Sequence, residues 1–212
     1  MKRFKLGKIE ISVLCALLVS VIVMSCADCT AFAQQCGDIR SKVFRLHVLA
    51  NSDSAADQTL KLKVRDKILA SYGDVFGAAK DKDEAEAEAR ANIENIRRTA
   101  KEEVEREGYD YKVGVAVENT YFNTRTYGSY TLPAGNYDAL RVTIGSAKGH
   151  NWWCVLFPPM CVASAEGSEK IDDVLTPDEN KIVSGPEGKY EVKFKIVEFA
   201  ESLRNRIMSV HR

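Results

Sequence analysis

The sequence predicts an α+β domain carried behind an N-terminal export segment, and three observations support this. A positively headed apolar run opens the chain, two long stretches with helical spacing follow, and strand-type alternation dominates most of what remains. Helices grouped before strands favour one layered sandwich, a single sheet face covered by helices, over a strictly alternating parallel sheet. A length of 212 residues suits one domain plus a short appendage. The expected architecture is a four- to five-stranded, mostly antiparallel sheet with three helices, built from residues 34–212.

The export segment comes first. Lys2, Arg3, Lys5 and Lys8 precede Ile11–Met24, 14 residues that are apolar apart from Ser12 and Ser20. Basic residues stay on the cytoplasmic side while the apolar run enters the bilayer, so the rest of the chain is pushed across. Fourteen helical residues span about 21 Å, short of a roughly 30 Å hydrocarbon core. A signal peptide over residues 1–33 is therefore preferred, with cleavage after Ala31-Phe32-Ala33. A retained anchor and a lipoprotein modified at Cys26 are the alternatives. Cys26-Ala-Asp-Cys29 is formally C-x-x-C, but it lacks the flanking strand and helix of a redox site.

Val43–Leu49 is β-rich and ends in the turn and cap cluster Asn51-Ser52-Asp53-Ser54. Ser54 with Asp57 resembles a capping box, and Leu60, Val64 and Ile68 repeat at i+4, which predicts a helix over 55–72 closed near Gly73. A second start signal, Asp81 with Glu84, opens a long amphipathic helix. Its apolar positions Ala89, Ile93, Ile96, Ala100 and Val104 run up to Gly108. Val113, Val115 and Val117 then alternate, as do Leu140, Val142 and Ile144, and Trp152–Phe157 is continuously apolar. These are three strands, the last two joined by a hairpin-like connection over 145–149. The Gly-, Ser- and Pro-containing stretch 164–188 reads as a mobile loop. Tyr190, Val192 and Phe194 alternate as a short strand before Ile196–Val210 takes helical spacing.

Composition narrows the function. Beyond residue 33 the chain carries 26 basic and 28 acidic residues, with no basic patch interleaved with aromatics, so nucleic-acid binding is not expected. With His47, His150 and His211 the only histidines, a zinc enzyme is poorly supplied, and no cofactor motif is present. Cys154 and Cys161 are candidates for a disulfide outside the cytoplasm, which leaves Cys36 odd in a flexible start of the mature chain.

Three clusters merit a functional reading. His47 with Asp53 has the composition of a base and its orienting carboxylate, but a strand histidine and turn-capping Asn51, Ser52 and Asp53 are more economically structural. Cys154 with His150 suggests a thiol nucleophile, against a buried or disulfide-bonded cysteine. Trp152 and Trp153 project to opposite strand faces. Either one packs while the other, beside Pro158-Pro159, anchors a protein partner, or both pack. Asn51, Asp53, Trp152, Trp153, Pro158 and Pro159 are the expected partner-binding residues.

Four blocks carry a family resemblance. Arg-Leu-His-Val-Leu-Ala-Asn-Ser-Asp at 45–53, Leu-Lys-Leu-Lys-Val-Arg-Asp at 60–66, Leu-Pro-Ala-Gly-x-Tyr-x-Ala-Leu-Arg-Val at 132–142 and Gly-x-Asn-Trp-Trp-Cys-Val-Leu-Phe-Pro-Pro-x-Cys at 149–161 resemble the stage II sporulation protein R family. The resemblance extends over about residues 40–210. It implies a signal rather than an enzyme. Such a protein is exported from the forespore into the space between the septal membranes, where it activates a membrane-embedded aspartic protease that processes the sigma-E precursor. The expected partner is the extracytoplasmic face of that protease, and the membrane is touched only through the N-terminal segment. The competing classes are a secreted thiol or cell-wall hydrolase using Cys154 and His150 or His47, and a structural protein of the septum.

Overall fold

The computed structural model describes residues 7–161, 171–185 and 190–210. Its elements run α1 (Lys8–Ser41), β1 (Phe44–Leu49), α2 (Ala55–Ala78), α3 (Lys82–Ala91), α4 (Ile93–Arg106), β2 (Val113–Phe122), β3 (Arg125–Tyr127), β4 (Tyr130–Leu132), β5 (Gly135–Ile144), β6 (Asn151–Phe157), α5 (Pro177–Val183) and α6 (Glu191–Val210). Residues 171–174 are also helical.

Local chemistry accounts for most of the boundaries. Ser54 caps α2 by accepting from the Asp57 amide at 3.1 Å. The reciprocal half of the expected box is missing, because the Asp57 carboxylate turns to Ser52 and Asn51. The helix also passes Gly73 and ends at Ala78, since Phe76 is buried and extends the inward stripe of Leu60, Val64 and Ile68. The single helix expected over 81–107 is two. Asn92 lies between them, and the Glu88 carbonyl accepts both its backbone amide at 3.0 Å and its Nδ2 at 2.9 Å, a side-chain bond to the last turn that caps α3. At the far end Gly108 adopts φ +85°. The Gly108 amide bonds the Glu105 carbonyl and the Tyr109 amide the Val104 carbonyl, the two bonds of a Schellman ending.

The main sheet has the order β2-β5-β1-β6. As expected it is mostly antiparallel, through the pairings of β2 with β5 and of β1 with β6, where His47 lies opposite Trp153, but β1 runs parallel to β5, with Leu46 opposite Leu140, so the sheet is mixed. The connection over 145–149 is therefore no hairpin, because β1 lies between the two strands it joins. All six residues of β1 are buried, as a strand flanked on both edges and covered on both faces requires. β2 continues to Phe122, and a separate β3–β4 hairpin occupies ground expected to be loop.

Helices cover both faces, not one. On the first, Phe44, Leu46, Val48, Leu140, Val142, Cys154 and Leu156 pack against α2, α3 and α4. On the second, Val43, Ala139, Val155 and Tyr137 pack under the end of α1, β4, α5 and α6. Part of the stretch expected to be a mobile loop is thus ordered helix with buried Ile182 and Val183; residues 162–170 and 186–189 lie outside the described residues. The expected strand at 190–194 is the start of α6. Phe194 and Val197 face inward at helical spacing while Val192 is exposed, so the apparent alternation came from one outward residue. Cys36 sits in α1 fully buried, and burial pushes its thiol up to about 12, which keeps it protonated.

Candidate functional site

β1 leaves the sheet at Ala50, and the following turn is fixed to the β5–β6 connection. The Gly149 amide bonds the Ala50 carbonyl at 2.9 Å, and Lys148 and Ser146 bond the Asn51 carbonyl. Asn51 Oδ1 accepts from the Ser146 amide at 2.9 Å, and its Nδ2 donates to Asp57 Oδ2 at 2.9 Å. Ser52 Oγ donates to the same oxygen. Gly149 is required here, because a Cβ at that position would lie 2.1 Å from the Ser52 carbonyl oxygen.

Asp57 is the buried centre of this arrangement. Burial raises its pKa, but hydrogen bonds from Ser52, Asn51, Tyr111 and Ser54 outweigh that and hold it below the usual carboxylate value. Behind it, buried Lys61 donates to Gln58 Oε1 at 2.6 Å and to the His150 carbonyl at 3.0 Å. Burial and the neighbouring Arg65 lower the Lys61 pKa.

The rim of this arrangement is exposed. Asp53 Oδ1 accepts from the His150 amide at 2.6 Å and also meets the His150 ring Nδ1. Both side chains remain largely exposed, at 56% and 79%. Beside them the half-buried Trp152 lies under the Arg65 guanidinium, 4.0 Å from the ring centroid. This is a rigid polar and aromatic shelf at one end of the sheet. It offers an acidic group, an imidazole and an indole–guanidinium stack for contact.

Trp153 points to the other face and stacks on His47 at 3.8 Å, with Phe122 edge-on at 4.5 Å. His47 is 4% exposed, and burial, helped by Arg141 and Arg45 and opposed by Asn151 and Glu118, pushes its pKa down to about 4. Next to it the fully buried Arg45 lies over Phe122 at 3.9 Å and Tyr137 at 4.8 Å, and donates to the Tyr127 hydroxyl. Among the described residues its Nε and Nη1 have no acceptor. His47 and Asp53 do not meet. The carboxylate is at the surface with His150 while the imidazole is enclosed in aromatic rings.

The six expected partner residues separate into groups. Asn51, Asp53 and Trp152 share the shelf, whereas Trp153 faces away from it. Pro158, buried, and Pro159, half-buried, follow the opposite end of β6 behind a cis Phe157–Pro158 bond, about 20 Å from Trp152 at strand rise. Cys154 is bonded to Cys161 and buried on the face covered by α2, α3 and α4, so its sulfur carries no thiolate for attack, and His150 is engaged with Asp53. No group of three or more metal-ligating side chains occurs among the described residues. Sequence reasoning passed over Asp57, Lys61 and Arg65. Lys61 is a cation on the buried face of α2, and that mismatch of charge and periodicity was the available signal.

Comparison with known proteins agrees with these blocks. The sequence pattern of the family "Stage II sporulation protein R" matches residues 40–167, from the last turn of α1 past β6. Stage II sporulation protein R of Bacillus subtilis (strain 168) is 36% identical over 135 residues, which cover 64% of this chain and 60% of that relative. The match thus spans less than two thirds of the relative's length. No solved structure matches the chain significantly. The matched stretch contains β1, the capped turn, β5 and β6, and with it the chain belongs to the stage II sporulation protein R family, whose role is in sporulation.

Proposed function

We propose that this chain is an exported, non-enzymatic signal of endospore formation. It acts from the space between the septal membranes and activates the membrane-embedded aspartic protease that processes the sigma-E precursor. The observation that carries the reading is the family match over residues 40–167, the stretch that builds the shelf of Asp53, His150 and Trp152. Three features support contact as its mode of action: exposed polar groups held by a buried hydrogen-bonded frame, an aromatic–guanidinium stack at the rim, and a disulfide at Cys154. Activation requires tighter binding to the active arrangement of the protease than to the inactive one, since equal binding shifts no equilibrium.

Co-expression of this chain with the protease and the precursor in a non-sporulating host tests the proposal. Precursor cleavage that depends on this chain and on its export is the expected result. Cleavage by the cytoplasmic form lacking residues 1–33, or turnover of a substrate by the purified chain alone, would overturn it. Asp53→Arg and Trp152→Ala are expected to lower cleavage while leaving the unfolding midpoint nearly unchanged for the first.

A further inference from the structure

The helix α1 does two jobs along one continuous rod. Residues 9–31 are exposed all round, whereas Phe32, Cys36 and Ile39 are buried at 4%, 0% and 0%. The spacing of these three is that of a helix face laid onto the domain. Phe32 stacks on Tyr190 at 5.8 Å and meets Phe194 edge-on at 5.5 Å. Asp28 pairs with Lys193 at 3.0 Å and Arg40 with Glu201 at 3.1 Å, while Arg40 Nη1 donates to the Ala134 carbonyl at 2.9 Å. The docked part of α1 therefore begins at residue 28, upstream of the Ala31-Phe32-Ala33 cleavage pattern.

We infer that α1 is retained as a membrane anchor that is also a structural helix of the domain, its partner being the lipid bilayer over Ile11–Ala27. Those 17 residues carry no charge, and Lys2, Arg3, Lys5 and Lys8 precede them. Seventeen lies at the short end of the about 17–25 residues that span a hydrocarbon core. The apolar run read from sequence stopped at Met24, but the helix continues without a break through Ser25, Cys26 and Ala27. Cleavage after Ala33 would remove Phe32 from the second core and strip the covering ring from Tyr190 and Phe194. Residues 31–33 are moreover helical within a docked segment, with no linker between anchor and domain. The domain consequently sits directly on the outer surface of the membrane, with the start of α6 at the level where α1 leaves the bilayer. The inference goes beyond the signalling reading and does not depend on it.

The test uses the full chain with a C-terminal tag, exported in a bacterial host. Intact mass and extraction at alkaline pH are measured. The expected product keeps residues 1–33, stays in the membrane pellet at alkaline pH and is released by detergent. A soluble chain beginning at Gln34 overturns the inference, as does a chain beginning at a lipid-modified Cys26. Phe32→Asp adds a second readout on detergent-solubilised protein. A lowered unfolding midpoint, with new proteolytic nicking between residues 28 and 36, is expected, and an unchanged midpoint and digestion pattern would show that the helix is not docked. Chain mass and membrane retention are independent of precursor processing, so failure here and failure of the signalling role are told apart.

Discussion

Replacing Asp57 by Ala probes whether the turn after β1 is held by one buried carboxylate. Asp57 is 4% exposed and receives Asn51 Nδ2 and Ser52 Oγ. Hydrogen bonds to an ionised acceptor contribute about 1.5–3 kcal/mol each. The abandoned donors sit on half-buried residues and regain water in part, so the net loss is expected near about 3 kcal/mol. For a domain of this size that lowers the thermal midpoint by about 6–12 °C. The assay is thermal and denaturant unfolding of the detergent-solubilised chain followed by circular dichroism. The sign with pH is fixed as well: the folded carboxyl titrates below its unfolded value, so its contribution is complete above about pH 4 and is lost as pH falls through the lower folded value. The gap between wild type and Asp57→Ala should therefore close in acid. A variant within about 1 kcal/mol of wild type at pH 7, or a gap that widens in acid, would refute the reasoning.

Further outcomes follow from the second face and from the disulfide. His47, with its pKa pushed down to about 4, favours the fold when neutral. Stability should fall between about pH 6.5 and 4, in total by about 3 kcal/mol, and His47→Phe should flatten that part of the stability–pH curve. Arg45→Met should leave stability unchanged or raised, because an apolar chain of similar length replaces a desolvated charge, whereas Arg45→Ala should cost about 3 kcal/mol or more through the cavity among Phe122, Tyr127 and Tyr137. Equal losses for the two in denaturant titrations would contradict this account. Changing both Cys154 and Cys161 to Ser opens a loop of sequence separation 7 and should lower unfolding free energy by about 2.5 kcal/mol, provided the reference protein is oxidised.

Much of the local structure is legible in the residues. Ser54 and Asp81 cap helices where a capping residue precedes an apolar stripe, and Gly108 ends α4, whereas the helix capped by Thr176 lay in a stretch read as loop. The strands Phe44–Leu49 and Asn151–Phe157 lie close to their apolar runs. The site was legible only in part. Asn51 and Asp53 were visible as turn residues, but the group that fixes them, Asp57, looked like half of a capping box. A carboxylate there could accept from the Ser54 amide, as in a capping box, or from Ser52 and Asn51, and only the fold decides which donors arrive.

The sequence by itself determined the periods, the caps, the apolar leader and the four blocks that place the chain in its family, because these depend on neighbours within a few residues. The tertiary structure alone decided that β1 inserts between β5 and β6, that Trp152 finds Arg65 while Trp153 finds His47, and that α1 continues from its exposed stretch into the core. Those outcomes join residues from 87 positions apart, Arg65 with Trp152, to 161, Arg40 with Glu201. Which of several chemically equivalent partners meet is set by how two sheet faces are covered at once, a condition that no local pattern encodes.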